Sequence, residues 1–165
     1  MMRIAGFLDN SLVNGVGIRS VVFVSGCNHN CDGCHNKEMQ DYNYGDEVEI
    51  DDVFERIKSN VPLISGVTFS GGEPFDSAKE LAILADKVKS IGLNLWCYTG
   101  YTYEEILHSD DEAKIILLNK VDVLVDGKFD KNLTEDAPKY VGSSNQRIID
   151  VEKSMYEKRV VEVIL

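Results

Sequence analysis

Cysteine is scarce in this chain, four in 165 residues; histidine and proline occur three times each, and tryptophan once. Basic residues are few: 17 Lys and Arg stand against 28 Asp and Glu, a formal charge of −11. That deficit argues against a nucleic-acid or anionic-membrane surface, which needs basic patches to meet phosphate. Any partner is expected to be a small molecule or a protein. Long apolar runs are missing too, since VVFV and IILL fall far short of the ~20 residues that span a bilayer. The opening MMRIAGFLDN lacks a basic region followed by a long apolar core, so no secretory signal and a cytoplasmic location are expected. There thiols stay reduced, and clustered cysteines read as metal ligands or catalysts before they read as a disulfide framework. No linker, repeat or low-complexity tract divides the chain, and its length fits one domain, residues 1–165. A hydrophobic share of 44% with 27% charged residues is ordinary for a globular core.

What is present is a set of short apolar runs that end in glycine. SVVFVSG (20–26), GVTFSGG (66–72), NLWCYTG (94–100) and VDVLVDG (121–127) are rich in β-branched and aromatic residues without polar alternation, as strands of a parallel sheet are. Between them lie helical patterns at 53–60, 77–92 and 102–120, the last with a break near Ser109 to Asp111. Alternating strand and helix predict an α/β fold with right-handed crossovers and a mostly parallel sheet. RIIDV (147–151) and RVVEVIL (159–165) add two more strands. A closed eight-fold barrel typically needs about 250 residues. The expected architecture is therefore an incomplete, open (β/α) barrel.

The unusual residues all follow strands: the cysteine cluster the first, GGEP the second, YTGY the third, DGKFD the fourth. In parallel α/β folds ligands gather at the carboxyl ends of the strands, so four loops are expected to meet at one pocket.

Cys27, Cys31 and Cys34 are spaced C-x3-C-x2-C, with Cys97 far downstream in a run where a buried, inert cysteine is expected. A structural zinc would need His29, His35 or Cys97 to complete four ligands. A 4Fe-4S cluster takes one ligand per iron, and three thiolates leave one iron open to a substrate. In TFSGGEPF, Gly71 and Gly72 admit close backbone approach, Glu73 offers a carboxylate and Pro74 fixes the exit from the strand.

The cysteine triad followed by a GGE loop resembles the radical S-adenosylmethionine superfamily. NGVGIRSVVFVSGCNHNCDGCHN, TFSGGEP, YTGYTYEEI, and VDVLVDGKFD leading to GSSNQRIID resemble the activating proteins of anaerobic ribonucleoside-triphosphate reductase, over nearly the full length. That family usually has Pro where Asp32 stands and often Tyr where His35 stands, and neither departure removes a thiolate. The resemblance implies a radical SAM open barrel in which Cys27, Cys31 and Cys34 hold a 4Fe-4S cluster. S-adenosyl-L-methionine would chelate the open iron and, given one electron, yield a 5′-deoxyadenosyl radical that abstracts hydrogen from a glycine of the reductase.

It also implies site residues. Gly33, Cys34 and His35 would lie along the nucleotide, with Asn36 in the same pocket or capping a turn. Gly71, Gly72 and Glu73 would receive the methionyl amino group. Asp126 and Lys128 match a D-x-K element that touches the nucleotide or a cation, or else form a solvated loop pair. Asn14, Gly15 and Gly17 imply a turn near the cluster, Arg19 an anion contact, a partner contact or a surface salt bridge, and GSSNQR (142–147) partner docking or site closure. The electron donor would be a flavodoxin, a ferredoxin or a thioredoxin-type system. The alternatives are an activase of another glycyl-radical enzyme, a small-molecule radical SAM enzyme, and, from a different class, a zinc-stabilised binding module.

Overall fold

A computed structural model describes residues 1–165. Seven strands form one sheet: β1 (Met2–Ser11), β2 (Arg19–Val24), β3 (Asp46–Val48), β4 (Gly66–Gly71), β5 (Asn94–Tyr98), β6 (Val123–Asp126) and β7 (Arg147–Asp150). Their order is β3-β1-β2-β4-β5-β6-β7, and the sheet does not close. The four glycine-terminated runs, β2, β4, β5 and β6, are parallel neighbours at its centre. At both sides the pairing turns antiparallel, β3 and β1 on one edge and β7 on the other, so a parallel centre is flanked by antiparallel edges.

The helices are α1 (Ile50–Ser59), α2 (Ala78–Ser90), α3 (Tyr103–Leu107), α4 (Glu112–Lys120) and α5 (Val151–Glu157). In α2, within the predicted helical pattern at 77–92, the stripe Leu81, Leu84, Ala85 and Val88 is buried throughout. The break in 102–120 has a local cause. Thr102 closes a capping box with Glu105 at the start of α3, and the Asp111 side chain accepts from Ala113 N–H to start α4 afresh.

Successive strand residues point to opposite faces of the sheet. Val22, Val67, Phe69, Leu95 and Leu124 join Ile57, Leu84 and Leu117 of the helices in one main core. Cys97 sits in that core, fully buried, with burial pushing its thiol well up. The other face carries a small cluster of Trp96, Val125 and Ile148 and leaves room between the strands and the loops beyond them.

Arg19 belongs to that second face, and its environment corrects the expectation of an anion, a partner or a surface salt bridge. It is completely buried and forms no ion pair. Nε donates to Thr68 Oγ1 (2.8 Å), Nη1 to Val16 O (2.9 Å) and Nη2 to Val67 O (2.8 Å), with the guanidinium 5.5 Å from the Trp96 ring centroid. Burial lowers it to about 10. Arg19 thereby ties the β1–β2 turn to β4. Arg19→Ala leaves those acceptors unpaired and is expected to cost about 3 kcal/mol in urea denaturation, of which Arg19→Lys, lacking the planar fork, recovers only part.

The tail departs from its predicted strand at 159–165. Residues Val151–Glu157 form α5, capped by Asp150, whose side chain accepts from Lys153 N–H. The chain then reverses at Lys158 in a left-handed conformation (φ 56°) and runs beside β7 with only the bridge Ile149 to Glu162.

Candidate active site

A cavity of about 420 Å³ opens at the carboxyl ends of β2, β4, β5 and β6. That volume suits a small ligand, since such sites run from about 300 to 1,000 Å³. The loop after β2 contributes Cys27, Cys31 and Cys34, together with His29, His35 and Asn36. The end of β4 and the loop after it contribute Gly71 and Gly72, the loop after β5 Thr99 and Gly100, and that after β6 Gly127 and Phe129. The expected convergence of four strand-end loops is therefore observed.

The cysteine loop is rooted by two backbone bonds, Gly26 N–H to Met39 O (2.7 Å) and Cys27 N–H to Gln40 O (3.0 Å). All three of its cysteines are half-buried free thiols. No three His, Cys, Asp or Glu side chains meet closely enough to hold a single ion. Three half-buried thiols around one cavity are a donor set that suits a cluster, in which each thiolate takes a different iron. Burial, with the nearby Glu73 and Asp76 carboxylates, pushes the Cys27 thiol up to about 11, against a hydrogen bond from the His29 backbone N–H. Any metal ligated at Cys27 would therefore displace a proton.

The GGEP loop meets the cysteine loop through its backbone. Gly72 N–H donates to Val24 O (2.8 Å) and Glu73 N–H to Gly26 O (2.7 Å), and Asn36 Nδ2 donates to Gly71 O (3.2 Å). A Cβ on Gly72 would lie 2.3 Å from Gly26 O, so this glycine permits close approach of the chain to itself.

Glu73 is placed differently from its expected role as the acceptor for a methionyl amino group. It is fully buried, does not line the cavity, and both oxygens are engaged. Oε2 accepts from Phe75 N–H (2.9 Å) and Thr99 Oγ1 (2.8 Å), and Oε1 from Gly100 N–H (2.8 Å) and His29 Nε2 (2.6 Å). The carboxylate joins the ends of β4 and β5 to the cysteine loop. Ser70, three residues earlier, lines the cavity with a hydroxyl that makes no hydrogen bond within the protein. Sequence reasoning passed over it, although it precedes the glycine pair directly.

Of the D-x-K element only the middle residue, Gly127, lines the cavity; Asp126 and Lys128 do not. Asp126 is buried and accepts from Tyr103 N–H (2.7 Å), Arg147 Nε (3.0 Å) and Arg147 Nη2 (2.6 Å). Asp126 and Glu104 together hold Arg147 above its ordinary range. Lys128 lines a separate cleft with Asp32 and Asp130. Gly33, at φ 75°, turns the cysteine loop against Phe129 and Lys131 and is not among the residues that line the cavity. His35 does face the cavity, edge-on to Phe129 at 5.0 Å between ring centroids.

In GSSNQR (142–147) the side chain that ties the segment together is Gln146. Its Oε1 accepts from Gly142 N–H (2.8 Å) and Ser143 N–H (3.2 Å), while Nε2 donates to Gly127 O (2.9 Å). Gly142 and Gln146 line the cavity as its far wall, and Asn14 of the β1–β2 turn lines it from the opposite edge.

A family of 4Fe-4S single cluster domains matches residues 13–149. Among curated proteins, the anaerobic ribonucleoside-triphosphate reductase-activating protein of Pasteurella multocida is 34% identical over 155 residues, 89% of this chain and 96% of that one. Its counterpart in Vibrio cholerae is 36% identical over 145 residues, covering 83% and 90%. That of Enterobacteria phage T4 is 35% identical over 141 residues, covering 82% and 86%.

Proposed function

The chain belongs to the family of anaerobic ribonucleoside-triphosphate reductase-activating proteins, within the 4Fe-4S single cluster domains, and from that membership we propose that it cleaves S-adenosyl-L-methionine to place a glycyl radical on anaerobic ribonucleoside-triphosphate reductase. The observation that carries this reading is the gathering of Cys27, Cys31 and Cys34 in one cavity at the carboxyl ends of four parallel strands. We read the open sheet as the incomplete barrel of the radical SAM type and the whole chain as one domain.

Cys27, Cys31 and Cys34 would each ligate one iron of a 4Fe-4S cluster, leaving the fourth for the cosubstrate. Bound there and reduced, that cluster would supply the electron that splits the sulfonium into methionine and a 5′-deoxyadenosyl radical. The protein's part is orientation and the exclusion of competing reactions. His35 and Phe129 offer aromatic edges to an adenine, and the free Ser70 hydroxyl is available to the methionyl amino or carboxylate group. Gln146 and Gly142 shut the far wall, which restricts water at the reacting carbon. Glu73 acts from behind, by holding the loops that bear these groups.

No helix is long and apolar enough to cross a membrane. We take the setting to be the cytoplasm and the electron source to be a low-potential flavodoxin, ferredoxin or thioredoxin-type system. The test is anaerobic incubation with S-adenosyl-L-methionine, a reductant and purified anaerobic reductase, read by electron paramagnetic resonance. A glycyl doublet on the reductase that needs both proteins is expected. Cleavage of the cosubstrate with the reductase left radical-free would move the activity to another glycyl-radical enzyme or to a small molecule.

A further inference from the structure

Between Cys27 and Cys34 the chain has almost no backbone support. The one backbone bond formed within that span is Cys34 N–H to Cys31 O (3.2 Å), and none runs from residues 28–33 to another part of the protein. Side chains must therefore fix it. The Lys131 to Asp32 pair does so only at the surface, with both partners more than half exposed. The buried contact is His29, whose side chain is 9% exposed and whose Nε2 lies 2.6 Å from Oε1 of the fully buried Glu73.

The seat around this imidazole is built to its shape. Gly100 leaves the space that the ring fills, since a Cβ there would lie 2.5 Å from His29 Cδ2. The Tyr101 ring meets it edge-on at 4.5 Å between centroids. Glu73 is itself fixed by Phe75 N–H, Thr99 Oγ1 and Gly100 N–H, so it offers a rigid anchor. Tyr101 in turn donates to Asp76 Oδ1 (2.8 Å), whose other oxygen accepts from Tyr42 Oη (2.8 Å).

We propose that His29 is a positioning residue for the cluster: seated against Gly100 and bonded to Glu73, it holds the Cys27 to Cys31 span in the conformation that presents both thiolates to iron. The inference rests on the three-cysteine reading above. It gives the buried glutamate of GGEP a purpose within the protein, as the anchor of the ligand loop. Groups that orient metal ligands from behind typically alter metal affinity about 10- to 100-fold when removed.

The test uses four proteins reconstituted anaerobically with iron and sulfide: the parent, His29→Ala, His29→Gln and Gly100→Ala. Glutamine keeps an N–H donor at the reach of Nε2, whereas Gly100→Ala leaves the histidine in the sequence and removes its seat. Iron release to a chelator is expected to run about ten-fold faster in His29→Ala and Gly100→Ala, with an altered paramagnetic resonance line shape of the reduced cluster. His29→Gln is expected to return both toward the parent. Parent-like release and spectrum in His29→Ala, or no recovery in a folded His29→Gln, would overturn the inference. A parent protein that takes up no iron is a separate result, and it removes the three-cysteine reading together with this one.

Discussion

Cys31→Ala loses the cluster and all cleavage of S-adenosyl-L-methionine, while its denaturation midpoint stays close to that of the metal-free parent. The prediction follows from where the thiol stands. Cys31 is half-buried in the cavity wall, and neither it nor Cys27 nor Cys34 belongs to the main core, which lies on the opposite face of the sheet between the strands and α1, α2 and α4. Truncating a half-exposed side chain outside the core costs about 0.5 kcal/mol or less. A small domain folded around zinc behaves in the opposite way, because metal binding there is folding free energy and a lost ligand unfolds the chain. Iron content, product analysis and a urea curve on one preparation separate the two. An unfolded Cys31→Ala would point to the binding module.

Gly72→Ala is expected to be strongly damaging for a single added methyl group. The added carbon would stand 2.3 Å from Gly26 O and 2.7 Å from Met39 O, both backbone atoms that are themselves tied, Met39 O to Gly26 N–H. Neither neighbour can swing aside as a side chain would. Overpacking of this kind costs about 3 kcal/mol, and here the strain falls on the contact that sets the cysteine loop against the GGEP loop. Gly92→Ala supplies the comparison. Gly92 ends α2 at φ 82° with nothing within 4 Å of a Cβ, so only the left-handed backbone penalty of about 1 kcal/mol applies and the cavity is untouched. Equal losses in the two variants would mean that the loop contact is softer than its distances imply.

What could be read from the sequence was whatever is encoded locally. The four runs of β-branched residues ending in glycine became the parallel centre of the sheet, and their end loops met as the spacing predicts. The helix break expected near Ser109 to Asp111 falls where Asp111 caps α4. The edges were not legible. β1, MRIAGFLDNS, mixes a glycine and polar residues into its run and pairs antiparallel, and β3 is only three residues long. The tail RVVEVIL has the composition of a strand, but it follows α5 and a left-handed turn and finds only a bridge beside β7.

Within the site the limit was of the same kind. Cysteine spacing and a glycine pair are neighbours along the chain, so they announced themselves. The partners of Glu73 are His29, Thr99 and Gly100, spread over more than seventy residues of sequence and brought together only by the parallel strands. Arg19 likewise finds Thr68 and Val67 from an adjacent strand, and Asp126 finds Arg147 across the β6–β7 pair. Each of these charged residues looked available for a ligand and proved to be engaged within the protein. No local pattern distinguishes the two cases.

The most direct measurement is product analysis on the protein reconstituted anaerobically with iron and sulfide, reduced, and given S-adenosyl-L-methionine. The account predicts about four irons per chain, from one 4Fe-4S cluster, and methionine and 5′-deoxyadenosine in equal amounts, both absent from Cys31→Ala. A chain that retains only zinc and leaves the cosubstrate intact would contradict it.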